Sequence, residues 1–408
     1  MPKFRTLASF ERPPFRFFFF GMIGQWAAMS MLTVAQSLLV YRITGSSVIL
    51  GLLALGTAVP QLLFFMVGGA MADRFSKRRL IQIGQGAAGL MAIIPAIAIS
   101  TGYLSTSHQD SWWVLLVTSI IQGIFNAVAV PARQAIIPDL IESKNLMNAL
   151  ALNQMGTNVF RLIAPAIAGF VVDAAGFAAV FYLMAALYGM AVILTAFIPE
   201  TFKPVEHRRS TFEEAGEGLS YIWNHRLIFL VLSYAIFYII LFMPYQAMLP
   251  IFTEKILKVG ATELGILQSA LGIGALIASL TLASIATKLR GALVLVGGLI
   301  SGLGLVFFSA SHWWAVSLAA MFIVGIGQSI HGTALTTTMQ TLTEQEYMGR
   351  VMSILMMNQG LSGIGTFFVG YLSAGVGVQW AIGGFAAALA LLSILFLVFA
   401  PKVRRIKY

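Results

Sequence analysis

Residues 48–101 read VILGLLALGTAVPQLLFFMVGGAMADRFSKRRLIQIGQGAAGLMAIIPAIAIST. Two apolar runs are joined here by a short polar turn that holds one acid, Asp73, and four bases, Arg74, Lys77, Arg78 and Arg79. Each run exceeds the roughly 20 residues that a helix needs to cross a bilayer. The stretch therefore predicts a pair of membrane-spanning helices connected by a basic turn.

The composition of the whole chain extends this interpretation. Of 408 residues, 59% are hydrophobic and only 10% are charged, and the mean hydropathy is +0.88. Ordinary soluble domains carry about 25% charged residues, so a soluble enzyme and a disordered chain are both excluded. The chain has no cysteine, which excludes disulfides, thiol catalysis and thiolate metal sites. We predict an all-α integral membrane protein.

Apolar runs of spanning length occur twelve times. Irregular backbone cannot face lipid, so each run is predicted to be a helix. The predicted spans are 17–41, 48–72, 80–101, 112–131, 148–172, 177–198, 227–250, 262–286, 292–310, 313–336, 351–375 and 378–400.

The basic residues predict the orientation. With both termini in the cytoplasm, 21 of the 25 Lys and Arg fall in cytoplasmic segments, Arg42, Lys255 and Lys258 fall outside, and Arg161 lies within a span. Lys and Arg collect on the cytoplasmic side of membrane proteins, so the net charge of +10 needs no nucleic-acid partner. We expect a multi-pass protein of the inner (plasma) membrane. The first apolar run is too long for a signal peptide.

The chain is predicted to consist of two similar halves, residues 1–198 and 227–408, with a linker over 199–226. Gln122 and Gln134 have counterparts at Gln328 and Gln340, and Asn153 has one at Asn358, all at offsets of 205 or 206. Two pseudo-symmetric six-helix halves with a site at their interface are a recurring transporter plan.

The linker carries a helix-start pattern, because Glu213 follows Ser210 by three residues. Apolar residues then recur at helical spacing at Phe212, Ala215, Leu219, Ile222 and Trp223. This pattern predicts a short amphipathic helix on the cytoplasmic face. A disordered linker is the alternative.

The turn after span two resembles the loop motif of the major facilitator superfamily, which has the form G-x-x-x-D-R-x-G-R-R. Gly69, Asp73, Arg74, Lys77 and Arg78 match this motif, and Ser76 replaces its second glycine. The resemblance implies a gating loop that latches the cytoplasmic side. We expect Arg350, near the start of span eleven, to help hold Asp73.

A narrower resemblance is to the macrolide-efflux and enterobactin-exporter branch of that superfamily. It rests on Asn126, on PARQAIIPDL at 131–140, on Asn148 and on EYMGRVMS at 346–353. It implies export of a small amphiphile, usually coupled to proton antiport. Two features depart from the antiporter pattern: span four has Ser119 where an arginine is common, and span five has Ala164, Pro165 and Gly169 in place of G-P-x-x-G-G.

Few side chains at membrane depth carry charge. No acid lies in the middle of a span, so Arg161, with Asn158 one turn before it, is the strongest candidate for binding substrate. Hydrogen bonding to carbonyls is the alternative role for Arg161. The predicted cavity comprises Gln25, Gln61, Asn126, Asn158, Arg161, Tyr238, Gln246, Gln268, Asn358 and Gln359. His331 and Asp73 are the candidates for proton coupling, although His331 would also suit a hydrogen-bonded core position.

The predicted function is secondary active export of a small amphiphilic compound, drug- or siderophore-like, by alternating access. We expect protons and membrane lipid as partners, a monomeric chain, no nucleic acid, no cofactor, no metal and no covalent catalysis. Glycine runs such as 325–327 lie inside apolar spans and lack the Gly-Lys-Ser of a nucleotide loop. The alternatives are a lysolipid or lipid transporter, an importer of a neutral solute, and a ligand-sensing receptor.

Overall fold

The computed structural model describes residues 8–200, 211–284, 290–404 and 406, and gives the backbone alone for Met66, Ala70, Asp73, 211–215, Ala283, Ser284 and Gln359. The described residues form helices and turns, with no strand among them. The helices are α1 Pro13–Thr44, α2 Ser47–Arg74, α3 Lys77–Ser100, α4 Trp113–Leu140, α5 Leu146–Ala196, α6 Thr211–Asn224, α7 Arg226–Phe242, α8 Tyr245–Ile251, α9 Ala261–Ser284, α10 Arg290–Ala310, α11 Trp314–Leu342, α12 Met348–Met357, α13 Ser362–Val376, α14 Val378–Phe399 and α15 Pro401–Arg404.

The all-α membrane fold is confirmed. Eleven helical stretches within the described ranges are long and apolar enough to cross a bilayer. One of them, Ser143–Ala196, has 54 residues and bends at Gly176, so it contains two spans. The total is then twelve, in agreement with the sequence.

Two glycines make the tight turns between adjacent spans. Gly176 has φ 82° and Gly377 has φ 89°, a region that side chains with a Cβ rarely adopt. They lie 201 residues apart and each precedes the last span of its predicted half. The same turn at matching positions is what a duplicated chain would have.

The chain divides into two compact units. The first comprises Met1–Thr44 and Val59–His207, and the second comprises Gly45–Ala58 and Arg208–Tyr408. The predicted limits at 198 and 227 stay a prediction.

The start of α2 belongs to the second unit because it packs tightly on α13. Ser47 Oγ donates to the carbonyl O of Gly370 at 2.7 Å. A Cβ on Gly51 would lie 2.8 Å from the Cα of Phe367, so only a glycine allows the two backbones to approach this closely. Small residues bring helices together in the same way throughout membrane proteins.

Span four differs from its predicted limits. The sequence expectation ended it at residue 131, where Pro131 stands, but α4 continues to Leu140 through both Pro131 and Pro138. Neighbouring helices allow proline inside membrane helices. Ala132, Ile136, Ile137 and Leu140 lie in the core of the first unit and hold this last part of α4 in place.

The linker helix is present as α6, and its apolar residues divide into a buried set and an exposed set. Ile222 and Tyr221 are buried in the core of the second unit, whereas Leu219 and Trp223 are 59% and 73% exposed. The predicted helix start at Ser210 and the side chains of Phe212, Glu213 and Ala215 lie outside the described residues.

Candidate functional site

A polar stripe runs along the first half of α5 in the first unit. Gln154, Asn158 and Arg161 follow one another at i, i+4 and i+7, so they share one helix face, and all three are exposed. Gln154 Nε2 donates to Asn158 Oδ1 at 3.2 Å. Within the described part of the chain Arg161 forms no ion pair or hydrogen bond. Its guanidinium group is therefore available to an anionic or hydrogen-bond-accepting ligand.

The opposite face of the same helix is apolar. Ile163, Ile167 and Phe170 lie about half a turn away from Arg161 around the helix axis and are all exposed. Exposed aliphatic and aromatic side chains of this kind are suited to lipid. The polar stripe and the apolar residues therefore lie on opposite sides of this half of α5.

The buried face of α5 holds the span-five motif. Ala164 and Gly169 are buried together with Pro165. Earlier in the helix, a Cβ at Gly156 would overlap the ring of Trp26. The motif residues therefore pack α5 against its neighbours in the first unit.

Gln25 is not at an exposed position. It is 4% exposed, and its Oε1 accepts from Gln85 Nε2 at 3.1 Å. Gln85 Oε1 in turn accepts from Thr195 Oγ1 at 3.1 Å. This chain of hydrogen bonds joins α1, α3 and the end of α5, so Gln25 holds helices together in this structure. Its predicted place in a substrate cavity stays a prediction.

The other predicted cavity residues are distributed over both units. Gln61 and Asn126 are half-buried in the first unit. In the second unit, half-buried Gln246 donates to the Tyr245 hydroxyl at 3.3 Å, and the buried Nε2 of Gln268 has no partner among the described residues. Asn358 is 3% exposed, and the side chain of Gln359 lies outside the described residues. Their role in a common cavity stays a prediction.

His331 lies in a closely packed aromatic and hydroxyl cluster of the second unit. It is 3% exposed, its Nδ1 lies 3.0 Å from the carbonyl O of Val294, and its ring stacks on Tyr238 at 3.6 Å. The Tyr238 hydroxyl is 3.3 Å from Ser301 Oγ. A carbonyl only accepts, so Nδ1 carries the proton and Nε2 is the free basic atom of the neutral ring.

The basic turn after α2 binds the ends of helices in its own unit. Lys77 Nζ pairs with Asp139 at 2.6 Å and donates to the carbonyl O of Ala135 at 3.1 Å. Arg78 Nη1 donates to the carbonyl O of Ile198 at 2.8 Å. Arg74 is exposed, and a Cβ on Gly69 would meet nothing within 4 Å. The Asp73 side chain lies outside the described residues.

Arg350 is held by the linker helix. Its Nη1 lies 3.0 Å from Glu217 Oε2 on α6, and its guanidinium carbon lies 5.2 Å from the ring centre of Tyr347. A Cβ on Gly218 would lie 3.0 Å from the Arg350 Cβ. The sequence analysis did not identify Glu217 as the partner of Arg350. Glu217, Gly218 and Tyr221 are spaced so that they lie on one side of α6, and this spacing was the available signal that this side packs against another element.

Arg133, which the sequence analysis placed after the end of span four, lies inside α4 and is half-buried. The cytoplasmic location of this part of the chain stays a prediction. The apolar spacing of Ala132, Ile136 and Leu140 continues the helical pattern past Pro131 and was the available signal.

These features define a class: a multi-pass α-helical membrane protein with polar groups at membrane depth, which is the architecture of a transporter. The family model of the Major Facilitator Superfamily matches residues 18–366. The chain belongs to this superfamily, whose members are transporters of small molecules, and the resemblance seen in the sequence is confirmed.

Its relatives include two siderophore transporters. The chain is 27% identical to the staphyloferrin A transporter of Staphylococcus aureus over 334 residues, which are 79% of this chain and 80% of that one. It is 24% identical to the enterobactin exporter of Shigella boydii over 413 residues, covering 97% of this chain and 94% of the exporter.

Solved structures show the same fold at low identity. A crystal structure of the peptide transporter POT in complex with sulfate has a TM-score of 0.74 at 14% identity, covering 97% of this chain and 96% of that chain. A bacterial homologue of the human lysosomal transporter Spinster, inward-facing and unoccupied, has a TM-score of 0.65 at 16% identity, covering 95% and 96%.

Proposed function

We propose that the protein is a secondary active exporter of small amphiphilic, siderophore-like compounds in the bacterial inner membrane, working by alternating access with proton antiport. The near full-length similarity to an enterobactin exporter supports the direction and the class of substrate. The observation that carries the proposal is the free guanidinium group of Arg161 on a polar face of α5.

Arg161 would select the charge of the substrate. A guanidinium group stays protonated at all accessible pH values and binds carboxylates and other oxygen acceptors well. No acid lies in the middle of a predicted span to hold a cation. The protein should therefore export neutral or anionic compounds and protect cells poorly against permanent lipophilic cations. Strong protection against such cations alone would contradict this.

Proton coupling is assigned to His331 and Asp73. His331 has the only side chain in the predicted spans whose unperturbed pKa is near neutral. The unprotonated Nε2 of His331 can take up a proton, which would place a charge inside the closely packed cluster formed with Val294, Tyr238 and Ser301. The gating role of Gly69, Asp73, Arg74, Lys77, Arg78 and Arg350 is proposed from the superfamily motif.

The test uses purified protein in proteoliposomes with an imposed pH gradient and two compounds, enterobactin and staphyloferrin A. We expect at least one of them to move in the direction opposite to the flow of protons, and a protonophore to abolish this movement. Lipid movement without a gradient would favour a lipid transporter, solute movement with the proton gradient would favour an importer, and binding without flux would favour a receptor.

The Arg161 assignment is tested in the same vesicles. Arg161→Gln should weaken the apparent affinity for the transported compound about tenfold or more, the value of one charge-assisted hydrogen bond. Arg161→Lys keeps the charge and should retain part of the affinity. The control is Arg226→Gln, an exposed arginine at the start of α7. Equal affinities in all four proteins would remove Arg161 from the substrate site.

A further inference from the structure

Span eleven changes its winding near its middle. The stretch Met348–Val376 is one membrane-crossing segment in which α12 ends at Met357, α13 begins at Ser362 and Asn358–Leu361 form a 3-10 turn between them. Asn358 and Leu361 keep right-handed helical backbone angles, so the helix tightens here without breaking. A 3-10 turn inside a longer helix often marks a functional hinge.

Asn358 begins this 3-10 turn and has both side-chain amide atoms unsatisfied. The residue is 3% exposed, and neither Oδ1 nor Nδ2 has a hydrogen-bond partner among the described residues. Buried amides in native structures nearly always have partners. An unpaired buried amide inside a membrane span therefore calls for a partner that the described part of the chain does not supply.

The chemistry of the ligand follows from these groups. Asn358 presents an acceptor and a donor side by side, so its complement is a planar group that also carries a donor next to an acceptor. Primary carboxamides and un-ionised carboxyl groups have this arrangement. No charged residue occurs between Val351 and Pro401, so a neutral group is favoured over an ion at this depth.

We propose that Asn358, in the 3-10 turn of span eleven, is a ligand-binding position that pairs with a primary carboxamide or un-ionised carboxyl group of the substrate. The identification of the ligand as a substrate rests on the proposed transport function, whereas the binding itself is testable without transport.

The probes are aromatic primary carboxamides, namely 2-naphthamide and its close analogues. Each is compared with its N,N-dimethyl amide, which accepts a hydrogen bond but cannot donate one. 2-Naphthoic acid below and above its pKa tests the carboxyl alternative. Binding to the detergent-purified full chain is measured by thermal shift and by titration. In wild-type protein, members of the primary amide series or the un-ionised acid should bind about tenfold tighter than their matched non-donors.

Asn358→Leu keeps the branched shape and the number of heavy atoms of the side chain and removes both unsatisfied polar atoms. It should raise the melting temperature without ligand and lose the preference for the donor-bearing probes. Asn358→Ser, which shortens the side chain, should also lose the preference and serves if the leucine variant does not fold. The control is Thr366→Val, because Thr366 is buried in the same span and its hydroxyl already donates to the carbonyl O of Ser362 at 2.8 Å.

The outcomes separate this inference from the transport proposal. Equal binding of donors and non-donors by the wild type, or a preference retained in the Asn358 variants, would overturn the inference while proteoliposome flux could still stand. A preference lost only in the Asn358 variants would support it, even if the wild type moved no enterobactin.

Discussion

At the scale of single residues, Arg161 and His331 lie inside predicted spans and differ in how they are held. Arg161 is exposed on a polar helix face and has no partner within the described ranges, whereas His331 is enclosed between Val294 and Tyr238. A charge enclosed in an apolar interior is costly. Protonation of His331 therefore requires its cluster to loosen, which would couple a proton to a change of conformation.

We predict that His331→Gln flattens the pH dependence of transport while leaving substrate affinity nearly unchanged. Glutamine can still donate to the carbonyl O of Val294, but it cannot hold a proton near neutral pH. Wild-type flux should rise as the imposed proton gradient grows, and the variant should lose most of that rise. Flux at several gradients and affinity by titration in the same proteoliposomes provide the measurement.

The matched control for this prediction is Tyr234→Phe. It keeps a ring whose centre lies 5.8 Å from that of His331 and removes only the hydroxyl that lies 2.7 Å from Ser393 Oγ, so the pH response should survive. A full pH response in His331→Gln would make His331 structural and would leave Asp73 or water as the proton route.

At the scale of helices, α6 and α12 are joined by a small set of specific contacts. The ring of Tyr221 stacks on Tyr347 at 4.2 Å and on His225 at 3.9 Å, and its hydroxyl accepts from the Glu344 N–H at 3.2 Å. The ion pair between Glu217 and Arg350 is partly exposed and adds less than about 1 kcal/mol. Tyr221 is therefore the main anchor of the linker helix.

We predict that Tyr221→Ala loosens α6. The stacking and the lost apolar burial together should increase amide hydrogen exchange of residues 211–224 by about tenfold or more. Trp223→Ala is the control, since Trp223 is 73% exposed and its loss should leave the exchange of α6 almost unchanged. Mass spectrometry of exchanged peptides measures both variants, and equal protection in Tyr221→Ala and wild type would show that α6 is held by other contacts.

The helices were predictable to the extent that apolar runs define them. Within the described residues, the spans other than span four appear near their expected limits, because burial in lipid requires about 20 apolar residues whatever the neighbours are. The 3-10 turn Asn358–Leu361 was not predictable, since apolar residues continue on both sides of it. The spacing of apolar residues predicted that α6 is a helix. It did not predict which of them, Ile222 or Trp223, would be buried.

The site was predictable only where spacing along one helix was enough. Asn158 and Arg161 were expected on one face and do share it. Gln25 and Gln85 belong to different helices, and their pairing at 3.1 Å requires knowledge of which helices are neighbours. Polar residues at membrane depth therefore predict hydrogen bonds from sequence, but not whether those bonds go to a ligand or to another helix.

At the scale of the whole molecule, the charge distribution and the helix order together predict which loops face the cytoplasm. The turn between α3 and α4 contains Ser107 and no Lys or Arg, while the turn between α4 and α5 contains Ser143 beside Lys144. Both serines are exposed. If α4 crosses the membrane and the basic turns are cytoplasmic, these two serines lie on opposite sides of the bilayer.

The chain contains no cysteine, so a single introduced thiol reports its side of the membrane without background. We predict that a membrane-impermeant maleimide labels Ser107→Cys in right-side-out spheroplasts and labels Ser143→Cys only after permeabilisation. Wild-type protein should stay unlabelled in both conditions, and serine to cysteine is nearly isosteric, so the fold should persist. The reverse pattern would invert the predicted orientation of both termini. Labelling of both variants from outside would contradict the crossing of the membrane by α4, because no other helix separates the two turns.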